Sequence, residues 1–466
     1  MSDGAVPIAH LDGGCAGRSV RRFVSLIGAC AVVATMAAQA QPASSPASGV
    51  ASVCPAEVAA GSQCVSGRDS AGAYYWLAMP AVWNGTLVVH AHGGPEFGRL
   101  RVKRPVEDLQ RWSIWTRAGF ALAVTGYHQN GVAVVSAAQD LERVRQIFVA
   151  RFGAAKRTIL HGNSWGASVA AKTAELFGDG ASNAGKPPYD GVLLTSGVLG
   201  GALKSYDFRL DLRVVFEVVC GNHPLPSEPQ YPLWQGLPID NKMTRPQLAA
   251  RVDECTGVGT RPDARSAAQQ RNLETLTHVI RIPERTLVGH LEWATRGFQD
   301  IVFNRLGGRN PFGNEGVRYV GSADDDALNA KVARYRADPA AQAAFAADAD
   351  LQGRIAVPVL TLHAIDDPTA FVELESTFRD TMTRGGSADR LVQVFSDDHE
   401  HSYLADAEYV AVMGSLLDWI VRADKPTPQG VAARCASVDK AFNPGTGCRF
   451  RPGFVPSPLA ARVPAR

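Results

Sequence analysis

The sequence predicts an α/β fold, with a mainly parallel central sheet covered by helices on both faces and interrupted by a helical insertion. The first observation is that short apolar segments typical of strands alternate with segments of helical periodicity in the first half of the chain. The second is that this alternation stops at about Tyr206 and resumes at Ile355. The residues between are polar and helical in pattern, with Pro-rich loops, which predicts the insertion.

The composition is that of a globular protein. The chain has 466 residues, of which 46% are hydrophobic and 20% charged, so it can bury a sizeable core. This length fits one large domain with an insertion, or two to three ordinary domains. The formal net charge is +2, and no basic block or interleaving of basic and aromatic residues occurs. Nucleic acid is therefore not expected as a partner.

The first 40 residues have the features of a secretory signal peptide. Arg21 and Arg22 precede an apolar stretch, Phe23 to Ala38, and a small-x-small pattern ends at Ala40. The apolar stretch is too short to predict a membrane span. We therefore predict an exported protein, periplasmic or extracellular, with a signal peptide at 1–40 and a linker at 41–52.

Three alternatives concern this segment. Ile27 to Cys30 has the pattern of a lipobox, which would leave a membrane-attached lipoprotein with a lipid anchor on Cys30. Arg21 and Arg22 also suggest a twin-arginine signal, although the flanking residues fit it poorly. The region before Arg21 is long for a signal peptide and contains acidic residues, which suggests a start of translation near Val20 as the alternative.

Cysteine usage agrees with export, because an even number of cysteines in an exported chain indicates disulfides. Cys15 and Cys30 lie in the targeting segment, and six others remain. Six cysteines allow about 15 pairings, but neighbours along the chain would close short loops. None of these cysteines occurs in a C-x-x-C spacing, so neither zinc binding nor thiol redox chemistry is expected. The expected disulfides are Cys54–Cys64, Cys220–Cys255 and Cys435–Cys448.

The predicted elements follow in order along the chain. Strands alternate with helices up to the insertion, and two further strands and a closing helix follow it. The predicted domains are a first core part at 53–205, a helical lid at 206–350, a second core part at 351–425 and a disulfide-pinned tail at 426–466. The predicted strands are Tyr74–Met79, Thr86–His90, Phe120–Thr125, Thr158–Leu160, Gly191–Thr195 and Val359–Leu362, with another in the segment RLVQVFSDDHEH, and the predicted helices are Ala137–Phe152, Ala167–Glu175 and Tyr409–Val421.

The segment Gly162-Asn163-Ser164-Trp165-Gly166 lies between a predicted strand and a predicted helix. A G-x-S-x-G sequence in that context predicts a nucleophile elbow, in which small residues on either side allow a tight turn that exposes the serine. The N–H groups at the start of the following helix favour a negative charge there. Without that context, the same residues would be an ordinary turn.

Three more polar clusters follow predicted strands, and ligands bind at such strand ends in open parallel sheets. In His92-Gly93-Gly94-Pro95, the glycines bring backbone N–H groups near a substrate carbonyl, and Pro95 has none, so the donor is Gly93 or Gly94. Asp366 and Asp367 both supply a carboxylate that would orient a histidine. His399 and His401 are both candidates for the general base.

The chain order Ser, Asp, His and the motifs themselves resemble those of the α/β-hydrolase family. The segment LHAIDDP is similar to the family's LHGxxDP pattern, which implies Asp367 as the acid. HSYLADAE followed by LLDWI is similar to the ending of many secreted bacterial members, which implies His401 as the base. The resemblance covers roughly 71–201 and 355–425, and it implies that the insertion is a lid over the site.

The resemblance implies a serine hydrolase of carboxylic esters. Ser164 would be the nucleophile, His401 the base and Asp367 its orienting acid, with the N–H groups of Gly94 and Trp165 as the oxyanion hole. The expected partner is a small-molecule or oligomeric ester, and no cofactor is implied. A serine peptidase remains an alternative, because His-Gly-Gly-Pro also resembles a motif of prolyl-oligopeptidase-type enzymes.

Two other classes are alternatives. A zinc hydrolase would use the H-x-H pairs His90/His92 and His399/His401, with His363 as a further ligand, although no H-E-x-x-H occurs. A non-catalytic binding protein on the same fold typically lacks the serine or the histidine, and this chain has a candidate for every role.

Overall fold

A computed structural model describes residues 49–178, 187–438, 440–443, 445, 447–464 and 466. The predicted signal peptide, the candidate lipid anchor at Cys30 and most of the predicted linker lie outside these residues. Strand β1 begins at Val50, within the last residues of the predicted linker.

The described residues contain one sheet of nine strands. Its order is β1-β2-β3-β5-β4-β6-β7-β8-β9. The pairs β1/β2, β2/β3 and β3/β5 are antiparallel, and every later pair is parallel. The strands are β1 (Val50–Ser52), β2 (Gln63–Arg68), β3 (Tyr74–Met79), β4 (Thr86–Ala91), β5 (Ala121–Thr125), β6 (Arg157–Asn163), β7 (Gly191–Thr195), β8 (Val359–Ala364) and β9 (Leu391–Ser396).

Helices connect the parallel strands, and a long helical insertion separates β7 from β8. Two π-helical segments, Trp293–Gly297 and Asp300–Arg305, follow the ninth helix of the described residues. The helices are α1 (Arg104–Arg111), α2 (Ile114–Arg117), α3 (Val134–Phe152), α4 (Trp165–Phe177), α5 (Gly201–Lys204), α6 (Asp207–Cys220), α7 (Arg245–Thr256), α8 (Ala267–Ile280), α9 (Leu287–Glu292), α10 (Asp325–Lys331), α11 (Pro339–Ala349), α12 (Glu373–Arg384), α13 (Asp406–Arg422) and α14 (Pro428–Ala436), and short 3₁₀ turns lie at Leu233–Gln235, Pro262–Ala264, Glu284–Thr286, Ala388–Arg390 and Leu459–Ala461.

The predicted fold class is confirmed: a mainly parallel sheet is covered by helices on both faces. Helices α3 and α4 pack on one face, and α1 and α13 pack on the other. Strands β4, β5, β7 and β8 are buried along their whole length, which explains why they are continuously apolar in sequence. The carboxyl ends of the parallel strands therefore meet at one edge, where the candidate residues lie.

The structure joins the six cysteines in neighbouring pairs, as expected from their order. Cys54 pairs with Cys64, Cys220 with Cys255, and Cys435 with Cys448. The second pair ties the end of α6 to α7 within the insertion. Among the described parts of the chain, no helix has both the length and the apolar character of a membrane span.

Candidate active site

Ser164 lies in the turn between β6 and α4, in a backbone conformation that side chains rarely adopt. Its φ is 56° and its ψ is −126°. A positive φ at a non-glycine residue costs free energy and persists where the surrounding structure imposes it. The turn is imposed here by bonds from the Ser164 N–H to the Thr195 carbonyl (2.9 Å) and from the Val198 N–H to the Ser164 carbonyl (3.1 Å).

The two glycines of this motif stand where a side chain has no room. A Cβ on Gly162 would lie 2.7 Å from the Cα of Ala167 in α4. A Cβ on Gly166 would overlap the carbonyl oxygens of Ala91 and His92 at the end of β4. The helix therefore packs against the sheet closely enough to hold the serine above the strand ends, and it does so only with glycine on both sides.

We expect Gly166→Ala to destabilise the protein by about 1–3 kcal/mol, because the added methyl group must displace backbone rather than a flexible side chain. Urea unfolding followed by circular dichroism measures the change. Gly289→Ala in α9 is the matched control, since nothing lies within 4 Å of its added Cβ and alanine favours a helix. A Gly166→Ala protein as stable and as active as the wild type would contradict the tight-turn account.

Ser164, His401 and Asp367 form a continuous chain of hydrogen bonds. His401 Nε2 lies 2.8 Å from Ser164 Oγ, and His401 Nδ1 lies 2.7 Å from Asp367 Oδ2. Asp367 is 3% exposed, and its other oxygen accepts the backbone N–H groups of Thr369 and Ala370 at 2.8 and 2.9 Å. Burial alone would raise the pKa of Asp367, but His401 and His363 together hold that pKa well below its ordinary value. A carboxylate thus faces one side of the imidazole and a hydroxyl the other.

The structure separates the paired candidates of the sequence. Asp367 and His401 reach Ser164, whereas Asp366 is exposed and the His399 side chain is 66% exposed. Asp398 explains this difference, because its Oδ1 accepts the N–H groups of His399 and Glu400 at 2.7 and 2.9 Å. That turn points His399 outwards and brings His401 back over the strand ends.

The loop that carries His401 is held by residues distant in sequence. Arg449 of the tail donates to Asp398 Oδ2 at 2.9 Å, and Arg111 of α1 donates to the carbonyl of Ser402 at 2.5 Å. The N–H of Ser402 donates to Ser196 Oγ at 3.2 Å. These bonds give His401 a fixed position relative to Ser164.

A second histidine lies behind Asp367. His363, fully buried on β8, has Nδ1 3.1 Å from Glu375 Oε1 and Nε2 3.4 Å from Asp367 Oδ2. Burial lowers the pKa of a histidine, but these two carboxylates outweigh it and raise the pKa of His363 to about 10. His363 is therefore a buried imidazolium that compensates the charge of Asp367, a role that its position in the LHAIDDP motif alone did not indicate.

We expect His363 to make the stability of the protein fall as the pH rises from about 6.5 to about 10. The ordinary pKa of 6.5 is raised to about 10 in the folded state, so the folded chain binds more protons than the unfolded chain in this window. The stabilisation is complete below pH 6.5 and lost as the pH passes 10. Urea midpoints of the wild type and His363→Gln, measured from pH 6 to pH 10, should converge at the alkaline end.

His399→Gln is the control for that series, because this side chain is exposed. It should follow the wild-type curve throughout. A constant difference between His363→Gln and the wild type across the whole range would show that His363 is not charged in the folded protein.

The His-Gly-Gly-Pro segment directly follows β4 and lies against Ser164. A Cβ on Gly93 would approach Ser164 Cβ to 3.1 Å, and Gly94, the expected oxyanion donor, is the next residue. His92 stacks on Tyr127 with ring centroids 4.1 Å apart, and its Nδ1 lies 2.6 Å from the Gly93 carbonyl. His92 thus fixes the turn, and burial holds its pKa well below the ordinary value.

The histidine pairs considered as metal ligands have other partners. His90 Nδ1 lies 2.9 Å from His161 Nδ1 inside the sheet, where burial lowers the pKa of both. Within the described ranges, no three His, Cys, Asp or Glu side chains gather in a group that could hold a metal ion.

The insertion contacts the loops that carry Asp367 and His401. His290 Nε2 lies 3.0 Å from the carbonyl of Pro368, and Phe208 packs on Phe371 with ring centroids 4.8 Å apart. Arg285 donates to the carbonyl of His399 at 2.6 Å. The sequence pattern predicted the insertion but not these contacts, because they join residues that are distant along the chain.

Comparisons with solved structures find distant likeness. The rice cell wall degrading esterase LipA from Xanthomonas oryzae is 11% identical over 72% of this chain and 83% of that chain, with a TM-score of 0.37. An esterase from the bacterial hormone-sensitive lipase family is 13% identical over 81% of this chain and 83% of that chain, with a TM-score of 0.36. No family model matches the chain, and no curated protein matches it in sequence.

The class of the protein follows from its own topology. A parallel sheet with Ser164 in a strand–turn–helix elbow, and an acid and a histidine after later strands in that order, is the arrangement of the α/β-hydrolases. The chain therefore has the α/β-hydrolase fold.

Proposed function

We propose that this protein is an exported serine hydrolase that cleaves carboxylic esters through an acyl-enzyme intermediate. The observation that carries the proposal is the unbroken chain from Ser164 Oγ through His401 to Asp367, at 2.8 and 2.7 Å. A hydroxyl in contact with a base, which is itself oriented by a third group, is the arrangement that activates a serine. The three disulfides agree with export.

The proposed reaction begins when Ser164 Oγ attacks the ester carbonyl carbon. His401 Nε2 accepts the serine proton, and the resulting imidazolium is stabilised by Asp367. His401 then gives this proton to the oxygen of the leaving alcohol, and the carbon–oxygen bond breaks. Water attacks the acyl-enzyme with His401 again as base, which releases the acid and restores Ser164.

The negative charge on the carbonyl oxygen would be stabilised by the backbone. Trp165 is the first residue of α4, so its N–H has no partner within the helix and lies at the positive end of the helix dipole. We propose this N–H and that of Gly94 as the two donors of the oxyanion hole. Loss of one such donor costs about 10²–10³-fold in rate.

The insertion would act as a lid that shapes the substrate site. Ser164 is 9% exposed and the His401 side chain 21% exposed, so the reacting atoms are largely covered. Contacts from α6 and α9 to the loop after β8 support this role. A cover of this kind excludes water and strengthens electrostatic interactions inside the site.

Nucleophile competition tests the acyl-enzyme. Acetates with leaving alcohols of different acidity are hydrolysed in the presence of methanol, and the ratio of methyl acetate to acetate is measured. A common acyl-enzyme predicts one ratio for every leaving group. A ratio that varies with the leaving group would show direct attack by water and would contradict the mechanism. Matched anilides in the same assay would show whether amides are also cleaved.

A further inference from the structure

The insertion contains a buried arginine that has no carboxylate partner in the described part of the chain. Arg209, on α6, is 3% exposed, and its Nε has no hydrogen-bond partner among the described residues. Its Nη1 donates to the carbonyl of Ser205. Burial lowers the pKa of Arg209 to about 10, so the guanidinium remains charged at neutral pH. A buried charge without an opposite charge is costly, which makes this arrangement informative.

The acids on the same helix point away from Arg209. Asp207 and Asp211 both pair with Arg466, at 3.2 and 2.7 Å. Residue 209 is two positions from each of them, which is about 200° around a helix of 3.6 residues per turn. These carboxylates therefore lie on the opposite face of α6 and cannot neutralise Arg209.

Acids on neighbouring segments are also engaged elsewhere. Asp300 pairs with Arg305 at 3.2 Å and accepts the N–H of Val132 at 2.8 Å. Asp348 accepts two backbone N–H groups at the start of α3. Aromatic rings surround Arg209, with its Cζ 4.4 Å from the Phe208 centroid and 4.8 Å from that of Trp293. Such rings attract the cation but accept no ordinary hydrogen bond from Nε–H.

Tyr206 adds a second polar group beside the guanidinium. Its ring centroid lies 5.6 Å from the Arg209 Cζ, and its hydroxyl is buried. The hydrogen-bond partner of this hydroxyl is the side chain of Trp165, the residue that follows the nucleophile, and because an indole N–H can only donate, the hydroxyl still has its own proton to give. A guanidinium and a phenol that share no acceptor are complementary to an anion with two oxygens.

Ring contacts place Arg209 near the loop that carries Asp367. The Phe208 ring centroid lies 4.4 Å from the Arg209 Cζ, and this ring packs on His290 and Phe371 with ring centroids 5.3 and 4.8 Å apart. His290 in turn lies 3.0 Å from the carbonyl of Pro368, next to Asp367. Arg209 is therefore linked to the Asp367 loop through Phe208 and His290, and to the segment after Pro95 through Trp293, whose ring lies 6.5 Å from that of Phe97.

We infer that Arg209, assisted by Tyr206, binds a carboxylate carried by the ester substrate. This inference rests on the proposed function. A carboxylate fits better than a phosphate, because one arginine balances a single negative charge and the neighbouring His290 is neutral, its pKa lowered to about 3. The substrate would then be a monoester of a dicarboxylic acid or an ester of a hydroxy acid.

Matched substrates test this inference within one enzyme preparation. The acyl series compares mono-4-nitrophenyl succinate, glutarate and adipate with their methyl esters, and the alcohol series compares 3- and 4-butyryloxybenzoate with their methyl esters. We expect kcat/KM to be about 10–100-fold higher for the carboxylate than for its methyl ester in one series, as for a hydrogen-bonded charge. If kcat/KM for the carboxylate is no higher than for its methyl ester in both series, the inference is overturned.

Variants then assign the preference to the residue. Arg209→Met should abolish the ratio, and Arg209→Lys should keep part of it. Arg213→Met is the matched control, because Arg213 lies one turn further along α6, is equally buried and also has nitrogens without a partner among the described residues, while its Nη2 donates to Tyr231 at 3.2 Å. This variant should keep the ratio. A ratio that persists in Arg209→Met would overturn the assignment. If Arg209→Met does not fold, inhibition of neutral ester hydrolysis by free glutarate in the wild type replaces it, with no inhibition as the contrary result.

The two proposals fail in different ways. Hydrolysis of the neutral esters that is lost in Ser164→Ala, without any preference for carboxylates, would contradict only the role of Arg209. No hydrolysis of any ester in either series would contradict the proposed function itself.

Discussion

Ser164→Ala should reduce kcat for an activated ester by about 10⁴–10⁶-fold while leaving the fold intact, because no other group can form the acyl-enzyme. The residual rate would come from the oxyanion donors and from substrate binding. Initial rates with 4-nitrophenyl butyrate measure the loss, and circular dichroism checks the fold. A variant with more than a tenth of wild-type activity would show that another residue is the nucleophile.

Ser164→Gly separates catalysis from backbone strain. The φ of 56° at Ser164 is unfavourable for serine or alanine and accessible to glycine. The glycine variant should therefore be as inactive as Ser164→Ala. Its free energy of unfolding, measured with urea, should be higher than that of Ser164→Ala by about 1 kcal/mol or more. Equal stability of the two variants would mean that the turn is not strained in solution.

Asp367→Asn should reduce kcat/KM by about 10⁴-fold, since an amide can hold His401 in the wrong tautomer and does not stabilise the imidazolium. The loss should far exceed that of removing an ordinary hydrogen bond. Rates are measured at pH 7 and again at high pH, where hydroxide can assist deprotonation of the serine and recover part of the activity.

Asp366→Asn is the matched control, because Asp366 is the adjacent exposed residue. It should keep the wild-type rate. A large loss in Asp366→Asn together with a small loss in Asp367→Asn would mean that the hydrogen bonds of Asp367 to His401 do not represent the active arrangement.

The parallel part of the sheet could be predicted because its strands are buried on both sides. Gly191–Thr195 has the bounds expected from its apolar run, and so does Tyr74–Met79 in the antiparallel part of the sheet. Gln63–Arg68, which lies between the edge strand β1 and β3, was not predicted. That strand is polar and only partly buried, so it lacks the apolar run that would predict a strand, and it is defined by its pairing with β3. Helix α12 was missed for a similar reason, because its sequence is largely polar.

The candidate site was predictable where a local motif has a steric cause. The glycines around Ser164 are required by contacts with the backbone of α4 and β4, so the motif and the geometry agree. His363 was considered from the sequence only as a metal ligand, and Arg209 was not predicted as a site residue. The role of His363 depends on two carboxylates that surround it only in the folded protein, and that of Arg209 on the lack of such a partner. Neither property produces a recognisable motif in the sequence.

Labelling by a fluorophosphonate probe tests the central claim most directly. The mature protein is treated with the probe, digested, and analysed by mass spectrometry to locate the modified residue, with Ser164→Ala and His401→Ala proteins alongside. An activated Ser164 predicts a single adduct on the peptide that contains it, no labelling of Ser164→Ala and much slower labelling of His401→Ala. A folded wild-type protein that remains unlabelled while hydrolysing esters, or one labelled at another residue, would contradict the account.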